Sequence, residues 1–292
     1  MQIQKSFESN RTVGTLFVVP TPIGNLEDIT IRALNTLREV DFIAAEDTRN
    51  TKKLLNYFEI NQSLVSYHEH SNQQREQMLI EAMQNGKNVA LVSDAGMPAV
   101  SDPGNPVIEA AIKQSIPVVV LPGANAGLCA LVASGLDTNH FYFYGFLPRK
   151  SKDKKATLQR LSQLTDTILL YESPYRVKET VAELYEYFGN RSVVIGRELT
   201  KRFEEYVRGT LEEIIAWTDT GTVKGEFCLV IEGIDNESVM ENNWWKDLSI
   251  EAHVNHYVQQ EQLSSKDAIK KVSVERNIQK REVYQAYHIN NK

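Results

Sequence analysis

The stretch LVSDAGMPAVSDPG, Leu91–Gly104, places two Asp, two Pro and two Gly directly behind an apolar run. A carboxylate there can accept a hydroxyl hydrogen bond, favour a nearby cation or merely cap a turn. Glycine admits close main-chain approach, and proline stiffens a loop so that less order is lost on binding. An ordinary turn needs one or two such residues. Six in fourteen imply a backbone shaped around a ligand.

Three other segments share this character. PTPIGNL (Pro20–Leu26), EDTR (Glu46–Arg49) and PGANAG (Pro122–Gly127) each follow an apolar, β-rich run. Those runs are Thr15–Val19, Phe42–Ala45 and Val118–Leu121, with Val89–Ser93 ahead of the Asp94 loop and a further run at Leu64–Tyr67. Helical spacing appears between them at Ile29–Val40, Lys52–Phe58, Gln74–Gln84 and Val107–Gln114. Strand–helix alternation with short connections predicts a mostly parallel sheet covered by helices on both faces. Ligands of such sheets bind at the carboxyl ends of the strands, which is where all four loops fall. Gly24, Gly96 and Gly123 would admit the ligand's close approach, while Pro20, Pro22, Pro98, Pro103 and Pro122 would hold the loops. Asp94 is the carboxylate expected to face the ligand; Asp102, followed by Pro103, is expected only to cap a turn.

The pattern changes near Gly135. Phe141–Phe146, Thr167–Tyr171, Ser192–Glu198, Tyr206–Gly209 and Glu226–Glu232 read as strands, with helices at Asp153–Gln163 and Val177–Phe188. Fewer crossovers predict a mixed sheet. The expected fold is therefore α/β: a mostly parallel N-terminal domain over 1–136, a mixed-sheet domain over 137–235 completing the cleft, and a helical appendage over 236–292. That appendage shows helical patterns at Ser265–Val274 and Lys280–His288, a weak helix–turn–helix signal.

Composition narrows the classes. Of 292 residues 42% are hydrophobic and 24% charged, as in ordinary globular proteins, and the net charge of −6 argues against a general nucleic-acid coat. RKSKDKK, Arg149–Lys155, is nonetheless locally basic. No run approaches the roughly 20 apolar residues of a membrane helix, and MQIQKSFESNRTVG lacks the basic start and apolar core of a signal peptide. The expectation is a cytoplasmic protein. Neither GxGxxG, a P-loop, HExxH, paired CxxC nor GxSxG occurs, so dinucleotide, nucleotide, metal and serine-hydrolase chemistry find no support; no metal is expected. Cys129 and Cys228 sit in apolar runs and read as small buried residues.

Taken together, VVPTPIGNLEDIT, AAEDTR, SDAGMPAVSDPG, LPGANA, FYGFLPRK, YESPYR, GRELTKRFEE and KGEFCLVIEG resemble, in order, the tetrapyrrole methylase superfamily, the class III S-adenosylmethionine (SAM) methyltransferases. YESPYR and FLPRK look like its RNA-modifying branch, which methylates the ribose 2′-hydroxyl of a decoding-centre cytidine in 16S rRNA. Met97 and Ala99 stand where the family often has Thr and Gly. The resemblance implies S-adenosyl-L-methionine as cofactor, held by Pro22, Ile23, Gly24, Asp94, Ala95, Gly96, Pro98, Pro122, Gly123, Ala124, Tyr171, Glu172 and Ser173. It also implies 16S rRNA in the small ribosomal subunit as partner, a homodimer and no membrane.

Methyl transfer to a hydroxyl is an in-line displacement that needs positioning and a general base. Glu46, Asp47, Glu172 and Glu198 are candidates, and Lys201 only with a strongly lowered pKa. Glu46 is favoured because it ends a buried strand at the cleft rim, with Arg49 beside it for a phosphate; a structural ion pair there is the competing expectation. Arg176, Arg197 and Lys201 are expected to meet RNA phosphates, with Arg149, Lys150, Lys152, Lys154 and Lys155 extending the track. Tyr171 or Tyr175 would stack on the base, although an aromatic at a strand end is more often core. Two rival readings remain at this point: methylation of a precorrin or uroporphyrinogen, and a non-enzymatic SAM-binding regulator using the C-terminal helices.

Overall fold

The computed structural model describes residues 1–6, 12–68, 73–221, 223–235, 245–276 and 278–288. The chain divides into two units, Met1–Gly233 and Ile234–Lys292.

In the first unit, β-branched and small apolar residues form five short strands: β1 (Leu16–Val18), β2 (Phe42–Ala45), β3 (Leu64–Ser66), β4 (Val89–Val92) and β5 (Val118–Val120). They make one all-parallel sheet in the order β3-β2-β4-β1-β5. Helices α1 (Ile31–Glu39), α2 (Thr48–Tyr57), α3 (Gln73–Gln84), α4 (Asn105–Lys113) and α5 (Ala126–Ser134) connect or follow the strands. Alternate residues bury into opposite layers, as the period of two requires. Ile43, Ala45, Ala90 and Val92 join Leu37 and Leu55 on one side, while Ala44, Val89 and Leu91 join Leu79, Met83 and Val107 on the other. Burial on both faces explains the near-continuous apolar runs.

A second sheet holds β6 (Phe141–Phe146), β7 (Thr167–Glu172), β8 (Ser192–Arg197), β9 (Glu205–Thr210) and β10 (Phe227–Ile231), in the order β6-β7-β10-β8-β9. Only β6 and β7 pair in parallel, so the sheet is mixed as expected. Three helices accompany it: α6 (Ser151–Leu161), α7 (Val177–Phe188) and α8 (Leu211–Thr220). The sequence reading had two. In α8 the missing cue was a capping box, Thr210 with Glu213, rather than a long apolar stripe.

The two sheets meet through α5. It follows β5, yet its Ala130 and Leu131 pack on Leu169, Val194, Cys228 and Val230 of the second sheet. The loops at the carboxyl ends of β1 and β4 thereby face the second sheet.

The second unit gathers α9 (Ile250–Gln259), α10 (Ser265–Glu275) and α11 (Lys280–His288) around Val254, Tyr257, Ile269, Val272 and Val283. The first of these helices was not expected. Its core-facing positions include a buried histidine, His253, whose ring stacks on Trp245 at 5.2 Å. Arg276 Nε donates to His253 Nδ1 at 3.1 Å, and Nε2 lies 2.9 Å from Glu275 Oε2. Burial first, then the Arg276 charge, lowers the imidazole pKa to about 4 and keeps it neutral.

Candidate active site

Two strand-end loops are stitched together at the centre of the first sheet. The Thr21 amide donates to the Gly96 carbonyl at 2.9 Å and the Gly96 amide to the Thr21 carbonyl at 3.0 Å, an isolated bridge between the loops after β1 and β4. Thr21 Oγ1 adds a bond to the Ser93 carbonyl at 3.2 Å. Gly96 has φ of +78° and a Cβ there would stand 3.2 Å from Ile23 Cγ2, so the close approach requires glycine. Ala99 (φ +67°) and Ser101 (φ +65°) hold two further left-handed conformations in the same loop. Such conformations cost about 1–3 kcal/mol each and concentrate at functional sites.

Above this bridge lies a cavity of about 340 Å³, within the range of about 300–1,000 Å³ typical of small-molecule sites. The first sheet contributes Ile23, Ala95, Gly96, Met97, Val100, Ser101 and Asp102, with Asn125 and Ala126 from the start of α5. Opposite stand Phe146, Tyr171, Glu172, Ser173, Pro174, Gly196, Leu199, Glu226, Phe227 and Cys228 from the second sheet. Tyr171 fixes the join: its hydroxyl accepts from the Gly127 amide in the first turn of α5 at 3.0 Å. Phe143 and Phe146 meet its ring edge-on, with centroids 5.1 and 5.7 Å away. Burial pushes the Tyr171 phenol up to about 12, so it is neutral throughout the physiological range. A bulge in β6 brings the loop closer still. Gly145 (φ +80°) has no room for a side chain, since its Cβ would lie 2.7 Å from Ser101 Oγ.

The expected cofactor residues divide into two groups. Ile23, Ala95, Gly96, Tyr171, Glu172 and Ser173 line the cavity. Gly123 packs behind it, where a Cβ would meet Pro20 at 2.6 Å, and the Ala124 carbonyl lies 3.7 Å from the Cβ position of Gly96. Gly24 leaves space for Lys201 and Thr200, and the Asn25 amide donates to Thr200 Oγ1 at 3.0 Å. Pro22, Pro98 and Pro122 lie in the same loops without lining the cavity. Asp94 turns away from it. Its carboxylate accepts from the Asp47 amide and from Asn50 Nδ2, both at 3.2 Å.

The acids and bases are distributed differently from the sequence expectation. Glu46 Oε2 accepts the Asp94 amide at 3.3 Å, and neither Glu46 nor Arg49 lines the cavity. Arg49 lies 2.7 Å from Asp47 in an ion pair that holds the Asp47 carboxyl down to about 2. Glu172 is buried and accepts from the Ser173 amide and Thr180 Oγ1, each at 2.8 Å. Lys201 bridges Glu198 and Glu226, each 2.9 Å away. Burial alone would lower its pKa, but hydrogen bonds to Glu226 and Glu198 outweigh it and keep the ammonium above the ordinary lysine value. These partners therefore oppose the lowered pKa that a neutral catalytic lysine would need.

Asp102, expected only to cap a turn, faces the cavity instead. It lines the cavity, and burial above all, then the charge of Glu46, pushes its carboxyl up to about 7. The cue available was position: the second Asp of one ligand-shaping loop, eight residues after the first.

The expected RNA ligands also separate. Arg149 and Lys150 are exposed at the start of α6. Lys154 is not on a surface track; it is buried, paired with Glu183 and 3.4 Å from Glu179 on α7. Arg176 is turned inward, donating to the carbonyls of Leu147 at 3.1 Å and Pro148 at 3.4 Å. Arg197 is largely covered and bonds Glu205 across β8 and β9 at 2.8 Å. Tyr175, beside the cavity-lining Pro174, is almost fully exposed.

The family profile of the tetrapyrrole (corrin/porphyrin) methylases matches residues 15–215, which takes in the first sheet, four of the five strands of the second and the cavity residues up to Leu199. The chain belongs to the tetrapyrrole methylase family. Among its relatives it is 51% identical over 287 residues to the "Ribosomal RNA small subunit methyltransferase I" of Bacillus subtilis, covering 98% of each chain. A protein of the same name from Synechocystis is 43% identical, over 94% of this chain and 97% of its own. Solved structures of other tetrapyrrole methylase folds show the same architecture. A cobalt precorrin-4 methyltransferase superposes with TM-score 0.57 at 17% identity, over 75% of this chain and 94% of its own. A diphthine synthase superposes with TM-score 0.59 at 16% identity, over 78% of this chain and 94% of its own. The uroporphyrin-III C-methyltransferase of Thermus thermophilus, solved with S-adenosyl homocysteine, gives TM-score 0.53 at 19% identity, over 75% and 97%.

Proposed function

We propose that this protein transfers a methyl group from S-adenosyl-L-methionine to the ribose 2′-hydroxyl of a decoding-centre cytidine in 16S rRNA, acting in the cytoplasm on the small ribosomal subunit. The observation that carries the reading is the cavity between the sheets, built by loops that a family profile and relatives named as ribosomal RNA methyltransferases share with this chain. Its chemistry fits the cofactor: apolar walls at Ile23, Met97, Val100 and Phe227, main chain accessible at Gly96, and carboxylates at Asp102 and Glu226 in one wall each. When bound, S-adenosyl-L-methionine supplies an electrophilic methyl group on a sulfonium. Ile23, Gly24, Ala95, Gly96, Ala124, Tyr171 and Ser173 would hold it, with Pro22, Pro98, Pro122 and Gly123 stiffening the loops and Asp94 and Glu172 fixing their ends. Pre-set loops lower the ordering cost of binding.

On the acceptor side, Arg149 and Lys150 present charge for phosphates and Tyr175 a face for a base, while Arg176 keeps the Leu147–Pro148 carbonyls in place. Glu46 acts as a loop brace through the Asp94 amide. The test is incubation with methyl-labelled S-adenosyl-L-methionine and small subunits lacking the modification. Label on one cytidine 2′-oxygen, mapped by mass spectrometry, is the expected result; label on a tetrapyrrole precursor alone, or none, overturns it.

We also propose a homodimer. Leu128 and Val132 of α5, and Val120 of the preceding edge strand, are exposed apolar side chains. Sedimentation velocity should give twice the chain mass, and Val132→Glu should shift it toward the monomer; a wild-type monomer at micromolar concentration refutes the assignment.

A further inference from the structure

The loop joining β8 to β9, Glu198–Glu204, is held more firmly than a short connection needs to be. Glu198 (φ +51°) and Thr200 (φ +64°) both take left-handed conformations, which persist only where the surroundings over-determine them. Here they do. The Thr200 amide donates to Glu204 Oε2 at 2.6 Å, the Lys201 amide to the Glu198 carbonyl and the Glu204 amide to the Lys201 carbonyl, each at 3.0 Å. Glu198 Oε1 accepts the Glu226 amide at 3.0 Å, and Lys201 spans Glu198 and Glu226. Thr200 Oγ1 takes the Asn25 amide from the loop after β1, and Leu199, buried at the base, lines the cavity.

Two side chains stay outside this network. Arg202 and Phe203 occupy the tip and are exposed, Phe203 at 64%. The Arg202 guanidinium lies over the Phe203 ring, 5.7 Å from its centroid. A fixed loop that holds an aromatic face in water with a cation beside it suits single-stranded nucleic acid, whose bases stack on such faces and whose phosphates pair with such cations.

The topology sets a second aromatic at the same end of the sheet. Phe227, at the start of β10, is in register with both Glu172, at the end of β7, and Arg197, at the end of β8. The loops after β7 and β8 therefore leave that end about 10 Å apart, across one intervening strand. The first carries the exposed Tyr175 beside cavity-lining Pro174; the second carries Phe203 beyond cavity-lining Leu199.

Resting on the rRNA methylation reading above, we propose that Arg202 and Phe203 bind the acceptor RNA as a single strand beside the nucleotide that is methylated. Phe203 stacks on a base that has left its helix, and Arg202 pairs with a phosphate of the same strand. Tyr175 faces the strand from the other loop. Paired RNA hides its base faces, so this contact selects an unstacked segment. Neither Arg202 nor Phe203 lines the cavity, so both act on acceptor binding and leave the cofactor untouched.

The experiment compares Phe203→Ala, Phe203→Trp, Phe203→Leu and Arg202→Ala with wild type. It measures steady-state methylation of small subunits lacking the modification, subunit binding across a salt series, calorimetric binding of S-adenosyl-L-methionine, and sedimentation velocity. Phe203→Ala should raise KM for subunits about 5–150-fold, the usual worth of one base stack, with kcat and cofactor affinity within about threefold. Phe203→Trp should restore the wild-type KM. Phe203→Leu, which keeps apolar bulk without a π face, should not. Arg202→Ala should weaken subunit binding and flatten its logarithmic salt dependence by about 0.7–1. The proposal is overturned if Phe203→Ala leaves KM within about twofold, if leucine serves as well as phenylalanine, or if cofactor affinity falls instead. An unchanged salt slope in Arg202→Ala overturns the phosphate contact, and a dimer that Phe203→Ala turns into a monomer makes the ring a subunit contact and overturns the stack. Each of these, with wild-type enzyme that methylates the cytidine, leaves the ribose reading standing. Wild-type enzyme that neither binds nor methylates RNA overturns both.

Discussion

Glu172→Ala is expected to destabilise the first unit by about 3–5 kcal/mol, the usual cost of removing one member of a buried charged network. The side chain is fully buried at the end of β7 and receives the Ser173 amide and Thr180 Oγ1, with Arg176 Nε 3.7 Å away. Alanine would leave two buried donors unpaired and take away the carboxylate opposite Arg176. That guanidinium also carries the Leu147 and Pro148 carbonyls, so the start of α6 should loosen with it. Urea unfolding of the full chain measures the loss. Glu172→Gln, which keeps one acceptor oxygen, should lie between alanine and wild type. A loss under about 1 kcal/mol for alanine would show that the network contributes little.

The second large effect concerns Gly96. Valine there must adopt a left-handed conformation at about 1–2 kcal/mol, and its Cβ begins 3.2 Å from Ile23 Cγ2 at the cavity wall. The Thr21–Gly96 bridge prevents the loop from relaxing away. Each 1.4 kcal/mol is a factor of ten in affinity, so Gly96→Val should weaken S-adenosyl-L-methionine binding at least about tenfold by calorimetry. Gly135→Ala is the control. It has a similar φ of +77° but nothing within 4 Å of its Cβ position, so it should lower stability and leave affinity unchanged. Equal affinity losses in both variants would assign the effect to backbone strain rather than to the cavity.

Local pattern carried the fold a long way. β-branched runs marked the strands, and Gly-, Pro- and carboxylate-rich segments marked their carboxyl ends, because both signals are written within a few residues. The helix α5 escaped because AGLCALVAS is apolar on every side and has no 3.6-residue period; its two faces serve the second sheet and an exposed patch. α9 escaped for the opposite reason, since His253 and Tyr257 occupy positions where aliphatic residues would have announced a core. Charge was the least legible property. Lys154, Arg197 and Lys201 look alike in sequence, yet Lys154 and Lys201 are matched to carboxylates tens of residues away and Arg197 to one on the neighbouring strand. Asp102 shows the same limit from the other side. Its altered acidity comes from burial and from Glu46, Asp94 and Glu226, three different loops, and no local motif records that meeting.

The order of strands also bears on how the chain is made. β1 sits between β4 and β5, so its register partners, Val89–Leu91 and Val118–Val120, are synthesised about 70 and about 100 residues after it. At translation rates of about 5–20 residues per second, the first strand waits about 4–15 s for its first neighbour. During that interval Leu16-Phe17-Val18 is an apolar segment with both edges unpaired. Assembly of the nascent chain therefore passes through a stage in which β2 and β3 can pair while β1, an inner strand of the finished sheet, is still exposed to chaperones and to other nascent chains.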